Sequence, residues 1–208
     1  MADDDFKMPT DLKECPHKTE FPPMTAWDHY VSVKVGKGEQ KKEFNVYRGL
    51  LTYYSSYFAA ALDGNFKEGV TQVVELKEDD PKVFEAFRSW MYTRRLLDQV
   101  PSFDVLKSAA HDRFLCNVFI FGDMRGIPGL KNEAIDQLHR STAETWMVPS
   151  NDIKYIYTHT PVPSSLRDFV VSVHALTKNS VEEAESGKHG FTVDFLFDLL
   201  KMDSASTF

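Results

Sequence analysis

Residues 44–97 read FNVYRGLLTYYSSYFAAALDGNFKEGVTQVVELKEDDPKVFEAFRSWMYTRRLL. Phe44-Asn45-Val46-Tyr47 alternates apolar and polar side chains, the period-2 pattern of a half-buried strand. After Leu50-Leu51, Ser55-Ser56 opens a short apolar helix, Tyr57 to Leu62, which Gly64 suits to end in the left-handed conformation. Val73-Val74-Glu75-Leu76 has the β-branched content of a second short strand. Asp80-Pro81 starts a helix well, because aspartate accepts from free backbone N–H groups and proline fits the first turn. Val83, Phe84, Phe87, Trp90 and Met91 share one face of that helix by their spacing. Tyr92-Thr93 ends the unit, and Leu96-Leu97 provides another short extended piece.

The ordered set Phe44, Val46, Leu51, Ser55, Tyr57, Phe58, Gly64, Phe66, Glu68, Val74, Leu76, Asp79, Asp80, Pro81, Phe84, Phe87, Trp90, Tyr92 and Thr93 resembles the BTB/POZ domain, in the short form common in fungi. Tyr47 departs from the pattern, standing where the family usually has histidine. Gly122-Asp123 and Ile127-Pro128-x-Leu130 are similar to the paired helices that close that fold. The resemblance therefore spans residues 27 to 140. It implies an α+β fold, a small β-sheet flanked by α-helices, followed by a helical C-terminal extension over 141–208. Residues 1–26, with Pro9, Pro16, Pro22 and Pro23 among charges, read as a proline-containing tail or surface strap.

The 208 residues suffice for one ordinary domain plus an extension, burying roughly 70% of the unfolded surface without staples. A 42% hydrophobic and 13% aromatic composition is that of a packed globular protein, and sixteen phenylalanines must build its core or a partner surface. The net charge of −7 argues against nucleic acid as a direct ligand, since Lys41-Lys42 and Arg94-Arg95 are too short to form a basic face. Cys15 and Cys116 stand far apart, which suits a reducing compartment, cytosol or nucleus. The first residues lack the basic and long apolar regions of a signal peptide, and no window approaches the ~20 apolar residues of a membrane helix.

Around the central stretch, Tyr30, Val31, Val33 and Val35 give strand chemistry, and Gly36-Lys37-Gly38 turns it into a hairpin with the strand from Glu43. Beyond Pro101, Leu106, Ala110, Phe114, Val118 and Phe121 predict a helix containing an interruption, ended by Gly126; Leu130, Ala134, Ile135 and Leu138 mark the next. In the extension, Ile153, Ile156 and Tyr157 form a short helix. Ser165-x-x-Asp168 reads as a capping box opening Leu166–Leu176. Val181–Ser186 reads as a solvated acidic run. Thr192 caps a last helix whose apolar face is Phe195, Leu196, Leu199 and Leu200.

Chemical motifs are sparse. Gly36-x-Gly38 lacks the remaining residues of a phosphate loop. Cys116 with His111 or His139 would make a thiol nucleophile and base only if brought together in space, and its aromatic run suits a buried inert thiol better. Cys15-Pro-His17 needs two further ligands to hold a metal. No catalytic, cofactor-binding or metal residue is therefore assigned, and an enzyme is not expected. Tyr54, Tyr57 and Phe58 read as one core face, with Tyr53 outside it.

What remains is protein recognition. Phe66-Lys67-Glu68 has the hydrophobic-x-Glu form that cullin-binding BTB domains carry after their short second helix. An exposed aromatic would enter a partner pocket while a rim carboxylate fixes orientation. The competing reading tucks Phe66 under the domain and leaves Glu68 solvated. The resemblance thus implies a protein–protein interaction module, as an adaptor joining an unidentified client to a cullin-RING ubiquitin ligase. The alternative is a self-associating scaffold or transcription-regulator subunit with no ligase role.

Overall fold

The computed structural model describes residues 21–64, 66–96, 102–177 and 190–205, with no side chain described at 177 or 203–205. Cα packing divides the chain into two units. One comprises the described residues up to Ser102 together with Asn117–Gln137; the other comprises Phe103–Cys116 and the described residues from Leu138 onward. Leu97, the acidic run 181–186 and the Cys15-Pro-His17 motif lie outside the described residues.

The first unit is built on a three-stranded sheet in the order β2-β1-β3. Strand β1 (Tyr30–Val35) pairs antiparallel with β2 (Lys42–Tyr47), and parallel with β3 (Val73–Leu76). Val31, Val33 and Val35 alternate inward with Phe44, Val46, Val74 and Leu76, all buried, so the period-2 pattern sets which face becomes core. The hairpin turn needs its glycines, since Gly36 and Gly38 both have positive φ. Helices α1 (Arg48–Tyr54), α2 (Ser56–Asp63), α3 (Lys67–Thr71) and α4 (Pro81–Thr93) complete the central stretch. In α4, Asp80 accepts from the Lys82 amide at 2.8 Å with Pro81 in the first turn. Its predicted apolar face is buried throughout. Phe84 and Phe87 reach the Phe121 ring on the incoming part of α6 (Ala109–Met124) at 6.3 and 5.5 Å.

Helix α1 is not legible in the residue pattern: it has no side-chain cap, and Gly49 sits inside it. That glycine serves close approach. A Cβ there would lie 2.3 Å from the Ala26 Cα, so the one-turn 3-10 helix Met24–Trp27 rests directly on the α1 backbone. Ser55 is extended and separates α1 from α2, so Tyr54 and Tyr57 do not share a helical face. Tyr54 is buried and Tyr57 is 37% exposed, against the expected common core face; Tyr53 is half-buried, not outside.

One node ties these elements together. The Ser55 hydroxyl accepts from the Phe58 amide at 3.1 Å, capping α2, and donates to the Arg125 carbonyl at 2.6 Å. Gly126, at φ 59°, lets the turn between α6 and α7 (Pro128–Thr145) lie against α2; a Cβ there would sit 2.0 Å from Ser56 Oγ. The Arg125 guanidinium covers the Tyr57 ring at 4.6 Å and donates to Asp79 at 2.5 Å, both side chains being little exposed.

In the second unit, the helical run from Leu106, whose interruption the sequence leaves unplaced, breaks at Lys107-Ser108, between α5 (Phe103–Leu106) and α6. The unit continues through the C-terminal half of α7, α8 (Ile153–His159), α9 (Ser165–Thr177) and α10 (Val193–Ala205). Ser165 is the first residue of α9, not its cap; the first turn closes on the Ser164 carbonyl, which accepts from the Asp168 amide at 3.1 Å. Arg167 terminates α8, donating to the carbonyls of Tyr157 and Thr160. Thr192 caps α10 as expected, accepting from the Phe195 amide at 3.2 Å. The expected single apolar face of α10 is corrected, because only Phe195 is buried while Leu196 and Leu200 are exposed.

Replacing Arg125 by methionine strands the Asp79 carboxylate in a largely buried site, and should cost roughly 3 kcal/mol in urea denaturation. Adding Asp79→Leu should recover most of that loss, giving a large coupling energy in the double-mutant cycle. Additive costs would show that the ion pair does not hold the node.

Candidate protein-interaction surfaces

The Phe66 loop is assembled from the end of α2. Gly64 adopts φ −85°, ψ 176°, so the expected left-handed stop does not occur there. Its lack of a side chain serves proximity instead: a Cβ would stand 2.9 Å from both the Ala60 carbonyl oxygen and Phe66 Cδ2. Arg48 closes the α2 terminus, donating to the Leu62 carbonyl at 3.2 Å and the Asp63 carboxylate at 2.5 Å. Phe66 takes the N-cap position of α3 in extended conformation, and its carbonyl accepts from the amides of Gly69 and Val70. The α3 turn presses on α2, since a Cβ on Gly69 would meet the Gly64 carbonyl at 2.5 Å.

Gln72, left-handed at φ 53°, ends α3, and its carbonyl accepts from Ser32 of β1 at 3.1 Å. The loop is therefore fixed by a helix terminus on one side and the sheet on the other. It presents Phe66 at 63% exposure and Val70, one turn on, at 81%, with Glu68 half-buried in the first turn of α3.

A second apolar surface lies on the solvent side of the β1–β2 hairpin. Tyr30 and Tyr47 are cross-strand partners whose rings stack at 4.1 Å. Trp27 lies 5.2 Å from Tyr47 edge-on, and Tyr92, from the last turn of α4, closes the group at 6.0 Å from Trp27. Trp27, Tyr30 and Tyr92 are 38%, 57% and 38% exposed. Tyr47, the departure from the family histidine, is the ring all three others touch. Beside Tyr92, an open groove of about 430 Å³ runs between β2 and α4, lined by Asn45, Glu85, Arg88, Ser89 and Thr93. Residue-pattern reasoning missed this cluster because its members come from positions 27, 30, 47 and 92.

The basic pairs are engaged individually. Lys42 meets Glu85 at 3.4 Å, and the Arg94 guanidinium lies 4.1 Å from the Trp90 ring centroid. Among the described residues no group of three His, Cys, Asp or Glu could hold a metal ion, and no helix is long and apolar enough to cross a membrane.

The titratable cluster of the second unit surrounds Cys116. That thiol is fully buried, and burial, with the Asp152 and Asp112 carboxylates nearby, pushes its pKa far above the ordinary thiol range. A thiolate nucleophile is disfavoured there. Burial also lowers the pKa of His111. The buried His174 is a structural residue. Its Nδ1 donates to the Val170 carbonyl at 2.6 Å, leaving Nε2 to accept from Ser150 Oγ at 3.0 Å in the neutral ring.

Asp112 and Asp152 share one neighbourhood with a single guanidinium, Arg113, which donates to Asp152. Burial first, and the Asp152 charge second, raise the Asp112 pKa to about 6, against the lowering effect of its Ser141 hydrogen bond. Between the ordinary carboxyl pKa and about 6 the folded chain holds a proton that the unfolded chain has released, so stability falls as pH rises through that window. The full span is worth at most about 3 kcal/mol. Asp112→Asn should raise the melting temperature at pH 7 and flatten its pH dependence between about pH 4 and 6; an unchanged slope would remove Asp112 as the cause.

The family model of the BTB/POZ domain matches residues 27–120. No curated protein matches the chain. The matched segment contains the whole mixed sheet, the capped α4 and the Phe66 loop. The hairpin, the short helix after Ser55, strand β3 and the helix from Pro81 stand in the expected order, whereas α1, α3 and the parallel pairing of β3 are found only in the structure. Over residues 27–120 this chain is a BTB/POZ domain, a protein–protein interaction module.

Proposed function

We propose that the chain is an adaptor that docks a cullin-type scaffold through the Phe66 loop and holds a client through residues outside it. The observation that carries this reading is Phe66 itself: a large aromatic at 63% exposure, on a loop braced by Gly64 and Gly69, with Glu68 two residues on. A rigid apolar anchor with a carboxylate at its rim loses little conformational freedom on binding and supplies both affinity and orientation. The extension after residue 140 is the natural place for the client, and the cytosol or nucleus the natural compartment. The domain organisation we adopt is a tail over 1–26, the interaction domain over 27–140 and the extension over 141–208.

The second reading, a self-associating scaffold or regulator subunit with no ligase role, has its own support in the Trp27, Tyr30, Tyr47 and Tyr92 cluster. Those rings give a contiguous aromatic surface of the kind that anchors interfaces.

A pull-down of the purified chain with a cullin N-terminal domain separates the two. Binding by the wild type, weakened about 30-fold or more in Phe66→Ala/Glu68→Ala, is expected, since truncating a central aromatic anchor typically costs about 2 kcal/mol or more. Absence of binding at high micromolar concentration, with a dimer in light scattering that Trp27→Ala/Tyr30→Ala dissolves, would replace the adaptor with the scaffold.

A further inference from the structure

Helix α10 carries two apolar faces. Phe195 is fully buried, with its ring 5.9 Å from Tyr157 and 5.1 Å from His174, and Asp198 on the same side accepts from the Tyr157 hydroxyl at 3.0 Å. The opposite face presents Val193 at 67%, Leu196 at 36%, Phe197 at 58% and Leu200 at 65% exposure. Their spacing of i, i+3, i+4 and i+7 makes one unbroken stripe two turns long, the pattern of a helix that packs on both sides. Isolated exposed leucines are ordinary on a protein surface, but a contiguous apolar stripe is not.

We infer that this stripe is a dimer surface, and that its occupant is α10 of a second copy of this chain, crossing antiparallel about a two-fold axis between Leu196 and Phe197. The stripe is complementary to itself. In that arrangement Val193 of each copy meets Leu200 of the other, and Leu196 meets Phe197. Asp194 and Lys201 lie seven residues apart on the same flank of the helix, and an antiparallel two-fold pairs like flanks. About that axis each Asp194 lies two residues, about 3 Å of rise, from the level of Lys201 of the other copy, a gap that the long lysine side chain spans at each end of the contact.

A helix of uniform charge would meet one attractive and one repulsive group on this flank. A second copy meets two attractive pairs. Lys201 also reaches Asp198 of its own chain at 3.0 Å, a surface pair at 74% exposure with which the partner's Asp194 would compete.

Four side chains per copy cover less than the roughly 800 Å² per partner of a standard interface, so the dimer is reversible and forms with rising concentration. It lies outside residues 27–120 and does not depend on the adaptor reading. A chain paired through α10 would present two BTB/POZ domains, giving bivalent engagement of any dimeric or clustered partner.

Sedimentation velocity over a concentration series tests this. The weight-average mass of the wild type at high concentration should fall by half in Phe197→Asp/Leu200→Asp, whose exposed positions leave the fold intact, with an unchanged melting temperature as the control. Asp194→Lys and Lys201→Asp should each weaken the dimer when alone. Mixed in equal amounts, those two single variants should associate again, because every flank pair in the mixed dimer is then opposite in sign.

A mass that persists in Phe197→Asp/Leu200→Asp, a wild type that is monomeric throughout, or single charge variants that fail to recover on mixing would each overturn the inference. None of these outcomes bears on cullin binding, which the Phe66 loop variants read separately.

Discussion

The Arg125 guanidinium is the constraint on which the first unit depends. It sits over Tyr57 of α2 and pairs with Asp79 ahead of α4, while its own backbone carbonyl receives the Ser55 hydroxyl. Three segments far apart in sequence are thereby held at one point. Each partner is indispensable in a different way. Ser55 is spent twice, as a helix cap and as a clip. Asp79 must not be left as a lone charge in a poorly solvated place. Gly126 holds φ 59°, a conformation that favours glycine, and a Cβ there would displace the Ser56 hydroxyl. Hydrophobic burial supplies most of the free energy of such a unit, but it is non-directional. The node supplies direction, fixing where the α6–α7 turn meets α2 and hence how Phe121 reaches Phe84 and Phe87.

Much of this was legible where the signal is local. Alternation assigned β1 and β2 to their faces, Asp80-Pro81 placed the start of α4, and spacing by threes and fours identified its buried face. What escaped has a common physical cause: it depends on residues that meet only after folding. Arg125 and Asp79 are 46 positions apart, and nothing near either announces the pair. The same holds for the four aromatic rings around Tyr47. Helix α1 escaped for a different reason: its glycine reads as a break in the chain, and only the close approach of Ala26 to Gly49 shows what that glycine is for. Helix α10 has apolar residues on so much of its circumference that spacing alone cannot tell an inner face from an outer one.

The glycines of the Phe66 loop make the same point on a smaller scale. Gly64 looks in sequence like a helix stop in left-handed conformation, yet its backbone is extended and any residue could adopt it. It is glycine because the Phe66 ring and the Ala60 carbonyl leave no room for a Cβ. The residue that invites a functional reading and the residue that makes it sterically feasible are thus two positions apart. The resemblance pointed to Phe66 and Glu68, but the exposure of the ring follows from the packing of α3 on α2.

The ring cluster at the hairpin has a spectroscopic consequence. The chain has three tryptophans, and they occupy three regimes: Trp90 is 2% exposed, Trp27 is 38% and Trp146 is 84%. Intrinsic fluorescence therefore contains a blue, an intermediate and a red component, each from a different part of the molecule. Trp27 is the informative one, since it stands at the edge of the hairpin with Tyr47 and Tyr92 as near neighbours able to pass it excitation energy. Any partner that covers the hairpin dries the indole and moves its emission to shorter wavelength, while one that takes only the Phe66 loop leaves the spectrum alone. The protein thus carries, without any label, its own optical discriminator between a partner seated on the hairpin and one seated on the Phe66 loop.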